Sequence, residues 1–173
     1  MTYFLVDVET DGPAPHLFSM VSFGVVVLDK TLTHTFYGKV RPISKKWDPE
    51  ALAVSGHTRE ETLTFPKASV VLPEFSEWVR AHTKKGTQAR FVSDCSGFDF
   101  GFMNYYLWRF TGENVFGYSS RDMEDIYRGM TKNMRSSFDK LRVTAHDHHP
   151  VNDALGNAEA LLKMREKGLR LQL

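Results

Sequence analysis

Residues 3–12 read YFLVDVETDG, and this stretch decides the fold. Tyr3 to Val8 is an apolar, β-branched run, the composition of a buried strand. Two carboxylates, Asp7 and Glu9, interrupt its end. Side chains alternate along a strand, so residues two apart share a face. Asp7 and Glu9 therefore aim into one space, and Asp11-Gly12-Pro13 breaks the chain beside it, leaving room for a ligand. Taken alone, such a pair equally describes a strand followed by a polar turn. The rest of the chain has to choose between these readings.

Working outward, residues 19–28 and 33–41 are two further strands, joined by a short turn at Asp29-Lys30 into a hairpin. Residues 48–56 form a short helix, with Asp48 as cap, Pro49 in the first turn and Gly56 as its close. A longer helix spans 66–83, with Val70, Val71, Phe75, Trp78 and Val79 on one side; Pro73 should end, kink or restart it. Residues 88–94 are a fourth strand, and an aromatic helix follows over 98–110. Residues 119–130 read as a serine-capped helix, and 131–149 as a polar, basic loop with at most one helical turn. A last helix spans 151–167, where Val151, Leu155, Ala158, Leu161 and Leu162 recur at helical spacing. This order predicts an α/β fold, a mixed sheet flanked by helices, in a single domain over 1–173.

The composition sets the outer bounds. With 173 residues, 42% hydrophobic, the chain is long enough for a sizeable core. A net charge of +1 rules out a bulk polycation, so any nucleic-acid contact needs a local patch or metal ions. Cys95 is the sole cysteine, which excludes an internal disulfide and fits a reducing, cytoplasmic location. No stretch has the length of a membrane span, and the start MTYFLVDVE lacks the features of a signal peptide.

Two more acidic blocks follow the first. Asp99 lies in GFDFGFM (97–103), where a helix-start role favoured by the macrodipole is the plainer reading. Asp153 lies in HHPVNDALGNAEAL (148–161), five residues after His148. Asp94 competes with Asp99, and His149 with His148. The run His146, Asp147, His148, His149 also suggests zinc, but adjacent histidines give poor tetrahedral geometry and no cysteine pair accompanies them. Cys95 is expected to be a small, partly buried residue rather than a nucleophile.

Together these blocks resemble the DEDDh group of DnaQ-like 3′–5′ exonucleases. Asp7 and Glu9 match the first motif; Phe98, Asp99 and Phe102 match F-D-x-x-F; His148, Asp153 and Ala154 match histidine, four residues, aspartate, alanine. Cys95 departs from the pattern, standing where members often carry asparagine. The segments SMVSFGVVVLD and WDPEALAVSGHTREE also look like that family, so the resemblance covers roughly residues 3–165. It implies a ribonuclease H-like fold. It implies two divalent cations, Mg2+ or Mn2+, held by Asp7, Glu9, Asp99 and Asp153, with Asp7 bridging and Glu9 near the terminal 3′ hydroxyl. Such hard cations take oxygen ligands and suit in-line phosphodiester displacement. His148 would be the general base, a role that suits a side chain with an unperturbed pKa near 6.5.

The implied partner is the 3′ end of a single strand. Phe98, Phe102, Phe18 and Met20 are candidates to stack on or wedge beside terminal bases, although core is the plainer reading of any one of them, and Thr10, beside Glu9, is a further substrate-binding candidate. Lys132, Arg135, Lys140 and Arg142 are candidates for the phosphate backbone; Lys45-Lys46 and Lys84-Lys85 read as solubility charges. The compact form, the SDxxxFD frame and the HHPxxDA block look similar to ribonuclease T, oligoribonuclease and the RNase AS-like branch. That resemblance implies RNA rather than DNA as substrate, and a homodimer. A DNA exonuclease of proofreading or repair type is the alternative. A catalytically dead nucleic-acid-binding module is a third, against which the five intact residues argue.

Overall fold

The computed structural model describes residues 1–173. Its centre is β1 (Thr2–Thr10), which pairs with a neighbour on each side. β2 (Met20–Val27) runs antiparallel to β1, with a bulge at Glu9/Thr10, and β3 (Thr35–Lys39) runs antiparallel to β2. On the other side β4 (Ala89–Ser93) lies parallel to β1, and β5 (Ser120–Asp122) parallel to β4. The sheet order is β3-β2-β1-β4-β5, the mixed sheet expected from the sequence. Nearly all of β1 and β2 is buried, because helices cover both faces.

Strand alternation divides the core. Phe4, Val6 and Val8, with Phe23, Val25 and Phe91, meet α3 (Ala68–His82) and α4 (Ser96–Thr111) on one face. Leu5, Val26 and Val92 meet α5 (Met123–Thr131), a 3-10 turn at Asp139–Leu141 and α6 (Pro150–Glu166) on the other. Asp7 and Glu9 have the parity of Leu5, so they belong to the α6 face.

Several local expectations need correction. The β2–β3 connection is longer than a two-residue turn. Asp29 organises it by accepting from the Thr31 and Leu32 amides, both at 2.7 Å, and from the Thr31 hydroxyl. α3 runs through Pro73 without stopping. The carbonyl that loses its partner belongs to Ser69 on the exposed side, where water can replace the bond, while Val71, Leu72, Phe75 and Val79 hold the buried side. Val70 is 61% exposed and does not belong to that apolar stripe. Residues 119–130 are not one serine-capped helix. Ser120–Asp122 form an edge strand too short to show a pattern, and the Asp122 carboxylate caps α5 by accepting from the Asp125 amide. The short helix α1 (Pro49–Val54) carries the expected Asp48 cap. A separate α2 (Arg59–Thr64) follows, opened by a Thr58–Glu61 capping box.

Candidate active site

The site forms where α6 crosses the sheet above the Asp7–Gly24 pair of β1 and β2. Gly24 permits this crossing. A Cβ there would stand 2.2 Å from the Pro150 carbonyl carbon and the Val151 nitrogen. Only a bare backbone lets the first turn of α6 descend far enough for Asp153 to reach the strand end. Asp153 is fully buried, and ligand oxygens of Asp7, Glu9 and Asp153 lie within 4.8 Å of one another.

Asp99 enters from the first turn of α4. Its Oδ1 accepts from the Val8 amide at 3.3 Å, between the two β1 carboxylates, so it stands beside Asp7. Asp94 lies close by and repels Asp7, Glu9 and Asp99. Burial first, then the negative charges of Asp99 and Glu9, hold the Asp7 carboxyl well above the usual carboxylate range. Burial, then Asp153 and Asp94, raise Glu9 to about 8. Asp99 is likewise raised, by burial and then Asp94. No lysine or arginine forms an ion pair with Asp7, Glu9 or Asp99. Asp7 Oδ2 and Asp99 Oδ2 are buried with no hydrogen-bond partner. Crowded, desolvated carboxylate oxygens of this kind are costly unless cations join them. The all-oxygen donor set therefore fits hard divalent metals.

The histidines sort by position. His148 is exposed, with a left-handed φ of 61°, and its amide donates to Asp153 Oδ2 at 3.0 Å. His146, His148 and Asp153 also bring ligand atoms within 4.8 Å of one another. His149 instead precedes α6 as its N-cap and packs its ring 4.9 Å from Tyr37.

The expected strand contacts are redistributed. Met20 and Phe102 have no exposed surface and pack in the α3–α4 core, so neither is placed to touch a base. Phe18 is buried beneath the Lys46 ammonium, 4.8 Å from its ring. Thr10 is buried too, its hydroxyl donating to the Gly12 carbonyl at 2.9 Å. Phe98 stays half-buried, 5.1 Å from Phe102, one residue from Asp99. Arg135 is exposed in the loop after α5. Arg142 is not a free phosphate contact. Its guanidinium is engaged by Asn157 Oδ1, the Asp153 carbonyl at 3.3 Å and Asp94 at 3.7 Å, with only 7% of the side chain exposed. It ties α6 to the end of β4.

Other residues take roles that the sequence did not assign to them. Asp11, fully buried, binds Arg59 at 2.8 Å, and Arg59 also holds the Ser44 carbonyl at 2.9 Å; this pair fastens the loops after β1 and β3. Tyr37, 39% exposed, Lys39 and His149 lie along the β3 edge, and Lys39 and Glu9 both pair with Ser22, one from each side. A +1 net charge concealed this small cationic and aromatic set. A cavity of about 620 Å³ lies elsewhere, between the end of α3 and residues 114–118. The carboxylates are therefore distinguished by their chemistry rather than by enclosed volume.

The sequence model of the family described as Exonuclease matches residues 4–161. The 3′-5′ DNA exonuclease Cap18 of Escherichia coli is 32% identical over 162 residues, covering 89% of this chain and 86% of that protein. The nuclease domain of 3′hExo, a DEDDh family member bound to rAMP, superposes with a TM-score of 0.79 at 17% identity, covering 99% of this chain and 94% of that one. E. coli Exonuclease I in complex with a dT13 oligonucleotide gives 0.72 at 15% identity, covering 97% of this chain and 42% of that one. These likenesses show the ribonuclease H-like fold. The chain belongs to the exonuclease family, as a 3′–5′ exonuclease of the DnaQ-like DEDDh group.

Proposed function

We propose that this exonuclease removes nucleotides one at a time from the 3′ end of a single strand, using Asp7, Glu9, Asp99 and Asp153 to hold two divalent cations, Mg2+ or Mn2+. The observation that carries the reading is the convergence of Asp7, Glu9 and Asp153 beside Asp99, with unpartnered buried oxygens and no basic side chain paired to the strand-borne acids. Bound cations would supply Lewis-acid stabilisation of the charge that develops during displacement. His148, exposed beside Asp153, takes the proton of the attacking water, and Asp153 fixes the local backbone by accepting its amide. Glu9, at the rim of β1, lies nearest the strand's terminal hydroxyl.

Phe98 offers the face for the terminal base, and Thr10 keeps the chain after Glu9 in shape. Lys39, Tyr37 and His149 give the adjoining nucleotides a cation and two rings; Arg135 remains a phosphate contact for longer strands. For the polymer, DNA comes first, because the relative sharing 32% identity is a DNA exonuclease. RNA is the second reading, carried by the SDxxxFD frame and the HHPxxDA block. The family resemblance supports a homodimer, and the single cysteine supports work in the cytoplasm.

The test is a time course on a 5′-labelled DNA strand and its RNA counterpart, each with magnesium, manganese or chelator. A ladder shortening from the 3′ end, abolished by chelator, supports the reading, and the faster polymer decides the substrate. His148→Ala should slow the ladder greatly while calorimetry still shows magnesium or manganese binding. If His149→Ala is the slow variant instead, the base is misassigned.

A further inference from the structure

We propose that His146, His148 and Asp153 form a second cation site, selective for Zn2+, whose occupation switches the exonuclease off. The inhibitory half of this inference rests on the reading of His148 as base; the binding half does not. From sequence, a row of histidines argued against zinc because neighbouring rings cannot both turn toward one ion. The fold removes that objection. The two histidines that converge are not adjacent, and the left-handed His148 backbone brings its ring 4.5 Å from that of His146, nearly perpendicular to it. The third ligand arrives from α6. Asp153 Oδ2 lies 3.5 Å from His146 Nε2. Tetrahedral zinc with bonds near 2.0–2.1 Å sets its ligand atoms roughly 3.4 Å apart, so this pair already has the required separation. His148 is exposed, and one of its ring nitrogens lies within 4.8 Å of the ligand atoms of the other two.

The donor set gives the selectivity. Zinc takes imidazole nitrogen readily, whereas magnesium prefers oxygen. Two imidazoles and one carboxylate make this trio distinct from the all-oxygen group of Asp7, Glu9 and Asp153. The Asp147 and His148 amides donate to the two Asp153 oxygens at 3.1 and 3.0 Å, which orients the carboxylate before any ion arrives. Exposure of both histidines leaves an entry path. Once a His148 nitrogen lone pair is committed to zinc, it cannot accept a proton from water. Asp153, common to both groups, is drawn toward the histidines at the same time.

The experiment measures zinc binding by calorimetry in excess magnesium, and visible absorption of the cobalt-substituted protein, alongside digestion of a labelled strand. Wild type should bind zinc despite the magnesium, show the cobalt band of a low-coordinate nitrogen-containing site, and stop digesting as zinc is added. His146→Asn should digest at the wild-type rate with magnesium, bind zinc at least about tenfold more weakly, and need correspondingly more zinc to be inhibited, since even outer-shell partners of a metal are worth about 10–100-fold. His148→Gln should lose zinc affinity similarly. Asp7→Asn should keep it. Unchanged zinc affinity in both histidine variants, or its loss in Asp7→Asn, would place zinc among the strand-borne carboxylates and overturn the proposal. If wild type digests neither polymer yet binds zinc through His146, the catalytic reading fails and the metal site stands.

Discussion

The approach of α6 to the sheet can be tested with one methyl group. In Gly24→Ala the new Cβ would lie 2.2 Å from the Pro150 carbonyl carbon and the Val151 nitrogen, and 2.3 Å from the Pro150 oxygen. Ordinary contact begins at 3.4 Å, so more than an ångström separates the observed approach from a tolerable one. The obstructing atoms are backbone in the first turn of a helix, and no flexible side chain can swing aside. Either α6 withdraws by about 1 Å or β2 bends away from it. Overpacking of this kind costs about 1–3 kcal/mol, a fall in melting temperature of roughly 2–12 °C for a chain of this size. The protein should therefore still fold. Activity should suffer more, because Asp153 and the His148 loop ride on that helix turn while Asp7 and Glu9 stay on β1. A displacement near 1 Å in a catalytic arrangement can cost about 100-fold in rate. The assay is single-turnover digestion of a labelled strand at saturating metal, beside a thermal melt. Gly101→Ala is the control. It lies within α4 with nothing within 4 Å of its added Cβ, and should stabilise by about 0.5–1 kcal/mol with little effect on rate. A folded Gly24→Ala protein with a rate within about threefold of wild type would refute the argument that this glycine sets the site, given the 100-fold expected.

Metal-free stability should fall as pH rises from about 4.5 toward 8. Burial and mutual repulsion raise Glu9 from 4.5 to about 8 and raise Asp7 and Asp99 as well, so the folded state binds more protons than the unfolded state across that window. Divalent cations favour the ionised carboxylates, so magnesium or manganese should raise the melting temperature more at pH 8 than at pH 5; an equal rise at both would contradict the assignment. Asp7→Asn removes the most crowded of these charges, and the metal-free melting temperature should increase while digestion is lost; a lower melting temperature would show that repulsion is not what burdens the site. Arg59→Ala strands the fully buried Asp11 carboxylate and should cost about 3–5 kcal/mol at neutral pH by denaturant unfolding. A loss under about 1 kcal/mol would mean that the Ser19 amide, at 2.5 Å from Asp11, suffices alone.

The order of strands and helices was legible because hydrophobic period and turn chemistry are local properties. YFLVDV announces a buried strand wherever it occurs, and Asp48-Pro49 starts a helix with little help from the rest of the chain. The parity of Asp7 and Glu9 was equally legible, since it follows from strand geometry alone. The edge strand Ser120–Asp122 was not: three polar residues carry no period, and only pairing with β4 makes them a strand. Pro73 does not stop the helix, because the residue whose carbonyl it leaves without a donor, Ser69, lies on the exposed side, where water can serve instead.

For the site, the sequence by itself determined which carboxylates exist and which face of β1 two of them share. The tertiary structure decided everything that depends on neighbours distant along the chain. It buried Met20 and Phe102, which composition alone could have assigned to core or to ligand. It turned Arg142 inward onto Asn157 and Asp94 rather than outward to a phosphate. It separated His148 from His149 by placing one beside Asp153 and the other beside Tyr37. A side chain's period fixes the direction in which it points. What it meets there is set by long-range packing, here by the single missing Cβ of Gly24 that lets α6 close over the strand.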